Sequence, residues 1–518
     1  MREEVNEIAD AKISVHDRHR FEIKLDIELG EGPTTGYRVD TYFFVPRALN
    51  INPNTYSKDH FYSSIQRYIR FKTPHFPLAK IIDPSTLTSP FVRIRSHMKT
   101  VLDRPDAPEA LDAIFGETKL LGAVTRAAIR DSVRGLLADL ARVAPSSRTD
   151  DALPAVQAGI GAFVVDVEAY ISAVGELEQE MLQPPVPAKL RDAFRFFDEF
   201  TSLTIQDYLS TLLHAMRERQ ELAEPFRPLD AAVAAIIIQQ QRHREAMGYP
   251  SVLSNGKTDS TLLYRRGVLK KFISNVLYLS PETSEWETFS QIPLAVAAGF
   301  AMLFAAGVML IAQYRYATNS LPFIAIVVVS YIFKDRLKDW LKLYFSKGLV
   351  KWTADRKIRI RDPFSGRVIG SLKEAFSFGE EARIPPSVRY CRHMDSITSI
   401  DEEGKPEWVV KYEKEVSLFP ARISRFHQRR RDLNDIMRFN IDDFVRQADD
   451  PVVDYLHLDP ASGALAQVQC QRVYHVNLVL AYRSLDYRKR GAERLERIRL
   501  ILNRDGIVKL EEVAAVPQ

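Results

Sequence analysis

Cysteine is almost missing: Cys391 and Cys470 are the only two in 518 residues, and they stand 79 positions apart. That spacing excludes a disulfide framework and points to a reducing compartment. The opening stretch "MREEVNEIADAKISVHDRHRF" lacks the apolar core of a signal peptide, so the first half of the chain is expected to stay on the side where it is made. Also lacking are a dinucleotide fingerprint, a nucleophile elbow, a metalloprotease helix and a kinase signature. Gly256-Lys257-Thr258 comes nearest to a phosphate loop, but Ser251 stands where the first glycine of that loop belongs, and what precedes it reads as helix. It is expected to be a polar loop. Internal repeats, low-complexity tracts and long flexible linkers are absent too.

Excess charge of either sign is small, yet it is unevenly placed. Residues 1–291 carry a net −4, residues 334–518 a net +7, and Arg315 supplies the remaining +1. A basic surplus of this size suits an anionic membrane surface or an acidic partner and is small for a dedicated nucleic-acid binder. With 46% hydrophobic and 27% charged residues the chain is globular in composition, and a mean hydropathy of −0.18 excludes a polytopic transporter.

What is present is one concentrated apolar region. Ile292–Ala312 contains 21 residues without a charge, about 31 Å of helix, which matches a hydrocarbon core of about 30 Å. Ala298, Ala301, Ala305 and Ala312 recur at helical spacing and form a small-residue packing face, either for the next segment or for another copy of the chain. After the link "QYRYATNS", Asn319 or Ser320 can cap a second helix with Pro322 in its first turn. Leu321–Phe333 offers 13 strictly apolar residues, extended to 18 from Tyr316, with Tyr314, Tyr316 and Tyr331 suited to an interface. Lys334, Arg336, Lys338 and Lys342 follow directly, and a Lys/Arg excess beside a span marks the cytoplasmic side. Among these cations Leu337, Trp340, Leu341, Tyr344 and Phe345 make an apolar stripe, so 334–351 reads as an amphipathic basic helix in the headgroup region.

The flanking regions read as α+β. "FEIKLDIEL" and "YRVDTYFFV" are expected to pair as a β-hairpin, and residues 52–74 to form a capped helix stopped by Pro74. From 108 to 290 the pattern is a cytosolic helical bundle. In 352–518, "KIRIRDPFSGRVIG" reads as a hairpin, "EWVVKYEKEVSLF" and "RVYHVNLVLAYR" as strands, residues 423–448 as one helix, and Asp505-Gly506 as the turn of a last hairpin. The expected domains are an N-terminal α+β subdomain at 1–107, the bundle, a transmembrane helical hairpin at 291–333, the interfacial helix, and a mixed antiparallel C-terminal α+β domain.

Candidate chemistry is sparse. Cys391, His393 and Asp395 alternate, which on a strand would point three metal-ligand types to one face, although no fourth ligand can be named. His16, Asp17 and His19 could chelate only across a turn. Phe61, Tyr62, Tyr68 and Phe71 interleave with Arg67, Arg70 and Lys72, a mixture that could stack bases but reads better as a helical core stripe of Phe61, Ile65, Tyr68 and Ile69. Arg425, Arg429, Arg430 and Arg431 form a basic patch able to meet an anionic partner or lipid. No catalytic residue and no cofactor is indicated. The sequence therefore predicts a bacterial inner-membrane protein, multi-pass, with both termini cytoplasmic, serving as a self-associating interaction or sensing module. Two alternatives stand beside it. One is a membrane-tethered enzyme acting on nucleotide, nucleic acid or lipid, with Asp40, Asp59, His60, Arg67 and Arg70 or the Cys391 group gathered in a cleft. The other is an oligomeric two-span channel.

Overall fold

Strict alternation dictates the first well-defined element. In Arg20–Glu28 the side chains of Phe21, Ile23, Leu25 and Ile27 are buried and their neighbours are not, which is the period-2 signature of a strand with one covered face. The computed structural model describes residues 8–513 apart from 31, 106, 144–151, 220–222, 253–259, 284–286, 319, 351–353, 363–365, 380–382, 395–405, 427–431 and 486–492. The chain is mixed α+β with antiparallel sheets. It divides into a sheet unit, comprising Met1–Ile69, Leu279–Phe426 and Asp432–Gln518, and a helical unit, principally Arg70–Tyr278.

In the sheet unit, β1 (Ile8–Asp17), β2 (Arg20–Glu28), β9 (Asp432–Asn440) and β4 (Ile65–Phe71) form one four-stranded sheet in the order β1-β2-β9-β4. An eight-stranded sheet runs β14-β13-β12-β3-β8-β7-β6-β5. Its members are β3 (Thr35–Pro46), β5 (Ser280–Thr283), β6 (Arg356–Arg361), β7 (Val368–Gly379), β8 (Glu407–Leu418), β12 (Tyr474–Ser484), β13 (Arg494–Asn503) and β14 (Gly506–Val513). Strands β10 (Val452–Leu458) and β11 (Leu465–Gln471) pair only with each other in a two-stranded arm on which every residue is exposed.

Several expectations are corrected here. β2 and β3 do not pair with each other: β2 lies between β1 and β9, and β3 lies between β12 and β8. The N-terminal strands thus share sheets with C-terminal ones, so the first and last regions build one unit. Helix α1 (Lys58–Ser64) starts later than expected, capped by the Ser57 hydroxyl, which accepts from the His60 N–H, and it ends after two turns. Its continuation is β4, where β-branched Ile65 and Ile69 find covered positions while Tyr68 is exposed. The helix expected over 423–448 is instead the short helix Pro420–Phe426 followed by β9, because Leu433–Met437 is buried continuously between neighbouring strands. "YCRHMDS" begins in helix α11 (Pro386–His393), not on a strand. The hairpins β6–β7 and β13–β14 occur as expected, the latter turning at Gly506 with φ +126°.

The core between the two sheets is aromatic. Phe21 stacks on Phe439 at 5.1 Å between ring centroids, Phe43 meets Phe439 edge-on at 5.3 Å, and Phe61 of α1 lies 4.6 Å from Phe376 and 5.2 Å from Tyr412. Beside this cluster is a fully buried ion pair. Lys414 of β8 donates to Asp435 of β9 at 2.5 Å, with neither side chain exposed, and Tyr37 of β3 donates to the other Asp435 oxygen at 2.7 Å. Burial pulls the Lys414 amine below its usual pKa, with Asp435 opposing. Nearby, Glu374 of β7 is held by Arg67 of β4 and by the Tyr412 hydroxyl.

The helical unit consists of α2 (Leu78–Ile82), α3 (Pro90–Asp103), α4 (Pro108–Arg142), α5 (Ala152–Met181), α6 (Ala188–Glu218), α7 (Ala223–Ala246) and α8 (Ser260–Ser274). Along α5, Val156, Ile160, Phe163, Val167, Tyr170, Val174, Leu177 and Met181 alternate steps of four and three, and all are buried. This is the seam of a helix packed among helices.

Removing one member of a buried pair strands the other charge. Lys414→Met is expected to lower sheet-unit stability by about 3–5 kcal/mol, and Lys414→Met with Asp435→Leu by much less. Urea unfolding followed by tryptophan fluorescence checks this, since all four tryptophans lie outside Arg70–Tyr278.

Candidate functional site

Two regions carry functional potential, and the first is the apolar pair of helices. Helix α9 (Glu287–Arg315) and helix α10 (Leu321–Val350) pack on each other across a short link. The small residues meet inside: Ala297, Ala301 and Ala312 are buried, Ala305 and Ala298 partly so, and Ser330 of α10 is buried with them. The covered row is thus Ala297, Ala301 and Ala312, with Ala297 in place of Ala298, and it packs on α10 of the same chain. Large apolar residues point outward, among them Leu303 at 75% and Ile311 at 68% exposure, together with Phe300, Leu310, Ile324 and Phe333. Such an inside-out distribution is the reverse of a water-soluble core.

Two helices among the described residues are long and apolar enough to cross a membrane: Ala295–Arg315, with mean hydropathy 2.3, and Leu153–Met181, with 1.4. The second belongs to α5, whose large residues are the buried seam of the bundle, so its apolar character is accounted for by packing. On α10, Lys334 lies over the Tyr331 ring at 3.7 Å, Arg336 is exposed and Lys338 is half-buried; the Lys342 side chain lies outside the described residues. The helix runs without a break to Val350.

The sequence-derived metal candidate does not assemble. Residues two apart on a helix point about 200° apart, so Cys391 and His393 cannot share one ion from α11. Cys391 is buried against Tyr42, Phe44, Val388 and Val479, and burial pushes its thiol pKa up. Asp395 lies outside the described residues, and among the described residues no group of three His, Cys, Asp or Glu side chains could hold a metal. His19 is in the β1–β2 turn, where its Nδ1 lies 2.9 Å from Asp442. Asp40 is buried against Arg38 at 2.8 Å, while Asp59 and His60 are exposed on α1. Gly256–Thr258 and Arg429–Arg431 fall outside the described residues, as does the side chain of Arg425.

The second region was not foreseen. Three helices of the bundle each present a row at helical spacing: Ile171, Val174 and Glu178 from α5, Asp198, Thr201, Ser202 and Ile205 from α6, and Gln239, Gln240 and His243 from α7. They enclose a cavity of about 180 Å³. His243 Nε2 lies 2.8 Å from Asp198 Oδ2, and the Tyr249 hydroxyl donates to the same oxygen at 2.8 Å. Arg244 donates to the Ser202 hydroxyl at 2.8 Å, which in turn donates to the Gln240 carbonyl at 3.2 Å. The bond from Asp198 raises the His243 pKa, and Glu178 adds to it; burial raises the pKa of Glu178, with Asp198 reinforcing the effect. A polar break in the α6 pattern, Asp198 to Ser202 beside Phe197 and Phe200, was the available signal, but the sequence does not show that α5 and α7 bring their own polar rows to it. A second cavity of about 200 Å³ between α4, α6 and α8 is lined by Arg126, Asp207, Arg266 and Lys270, with Arg266 paired to Asp207.

No protein-family description, no curated protein and no solved structure matches this chain.

A histidine whose pKa rises on folding stabilises fully below its unfolded value and loses that contribution as pH climbs through the folded one. Amide hydrogen-exchange protection in α6 and α7, corrected for intrinsic rates, is expected to fall as pH rises above the ordinary histidine value of 6.5. In His243→Gln this slope should flatten.

Proposed function

We propose that the chain is a membrane-anchored sensing module. In this reading α9 and α10 cross the bilayer as a hairpin, and the sheet and helical units work on the cytoplasmic side of a bacterial inner membrane. The observation that carries it is the outward display of large apolar side chains on both helices over a small-residue seam, an arrangement lipid tolerates and water does not. Helix α10 is 30 residues long, about 45 Å, so it can cross and still extend its Lys334–Lys338 end into an anionic headgroup layer. Self-association, if it accompanies anchoring, must use the outward faces, because α10 occupies the alanine seam. The sensing element is the polar cavity of the bundle, which closes around the Asp198–His243 pair and has room for a small molecule.

The two ends of the hairpin and its tip supply the test. Cys470 is exposed on β11 and Cys391 is buried, so the native chain carries one accessible thiol on the side assigned to the cytoplasm. Thr318→Cys places a second in the link. In intact spheroplasts a membrane-impermeant maleimide is expected to label Thr318→Cys and to spare Cys470 until the membrane is permeabilised. Labelling of Cys470 in intact cells, or recovery of the full chain in the supernatant after an alkaline wash, would refute the anchored topology.

A further inference from the structure

The bundle cavity has an electrostatic bias that its hydrogen bonds do not cancel. Of its two carboxylates, Asp198 is met by the His243 ring and by the Tyr249 hydroxyl, while Glu178, half-buried at the same cavity, has no ion-pair partner among the described residues. The cations that act on Glu178 are the His243 ring, already bonded to Asp198, and Arg195, which sits over the Tyr249 ring at 5.8 Å. A second observation is independent of the charges. The Thr201 hydroxyl, on a residue only 3% exposed, has no hydrogen-bond partner among the described residues, although a helical threonine can ordinarily bond the carbonyl four residues back. A buried hydroxyl without a partner costs free energy that a donor from a bound molecule would recover. Ile171, Val174 and Ile205 make an apolar stretch of the wall, with Gln239 and Gln240 of α7 also lining the cavity. A volume of about 180 Å³ is close to that of an engineered cavity of about 150 Å³ that takes up benzene.

We propose that this cavity binds a small primary amine in its ammonium form, carrying a short aliphatic tail. The ammonium group donates to the Glu178 carboxylate and to the Thr201 hydroxyl, and the tail lies on Ile171, Val174 and Ile205. An anion of the same shape meets Glu178 with like charge, and a neutral alcohol supplies one donor where two acceptors wait. The inference rests on the sensing reading for its meaning and on nothing about the hairpin.

The test is isothermal titration of the full chain in detergent micelles with n-butylamine, n-butanol and butyrate. Butylamine is expected to bind at least tenfold more tightly than the alcohol, with butyrate silent. Glu178→Gln is expected to weaken butylamine at least tenfold and Thr201→Val several-fold, measured in the same micelles so that partition into detergent cancels. Equal binding of amine and alcohol by the native chain, absence of butylamine binding, or butylamine affinity unchanged in Glu178→Gln would overturn the proposal; the comparison of ligands on the native chain holds even if a variant does not fold. Hydrogen exchange separates the two ideas. Butylamine binding that protects α5, α6 and α7 and changes nothing beyond them upholds the site and removes the sensing role, whereas wrong-side labelling of Cys470 removes the topology and leaves the site intact.

Discussion

The sheet unit is organised around one lysine that water never reaches. Lys414 lies on the inward side of β8 between Tyr412 and Val416, and only Asp435, across the gap on β9, offsets the cost of removing its charge from solvent. Because strand side chains alternate, a one-residue slip of β8 would turn Lys414 outward and bring Glu413 or Glu415 in toward Asp435, placing like charges together. The pair, clamped by Tyr37, therefore fixes register in the large sheet and the stacking of the small sheet on it. Arg67 and Glu374 repeat the device one strand further along, so each of the two sheets sends a charged residue into the other twice.

The helical parts show how the same composition serves opposite ends. Both α5 and α9 are apolar enough to enter lipid. In α5 a seam of bulky residues at steps of threes and fours is covered, Val165 lying off it; in α9 many bulky residues are outside and Ala297, Ala301 and Ala312 are inside. Direction of the large side chains, more than their number, separates these two helices.

Where the sequence was readable, local physics was decisive. The alternation of β2, the glycine turns at 366 and 506, and the long apolar periods of α4 to α6 each announce themselves within a dozen residues. Partnering over distance does not. Nothing in "FEIKLDIEL" reveals that it pairs with "DLNDIMRFN" about 410 residues later, and that strand's continuous burial makes it resemble a helix by pattern. The three alternating residues at 391–395 suggested a strand because spacing alone cannot tell period 2 from a short proline-started helix. The cavity is illegible in the sequence for a related reason: each helix contributes only a few polar residues, ordinary in isolation, and their convergence is a property of packing.

The interleaving of the sheet unit has a kinetic side. Strand β3 receives its neighbours from β8 and β12, so it waits for residues 407–484 to be synthesised. At ribosomal speeds of about 5–20 residues per second, that is an interval on the order of 20–90 s. Through it, two open strand edges rich in tyrosine and phenylalanine stay available to any passing chain, while the whole helical unit is completed in between. Biogenesis of this protein therefore leaves its third strand without either neighbour until the last third of the chain has begun to emerge.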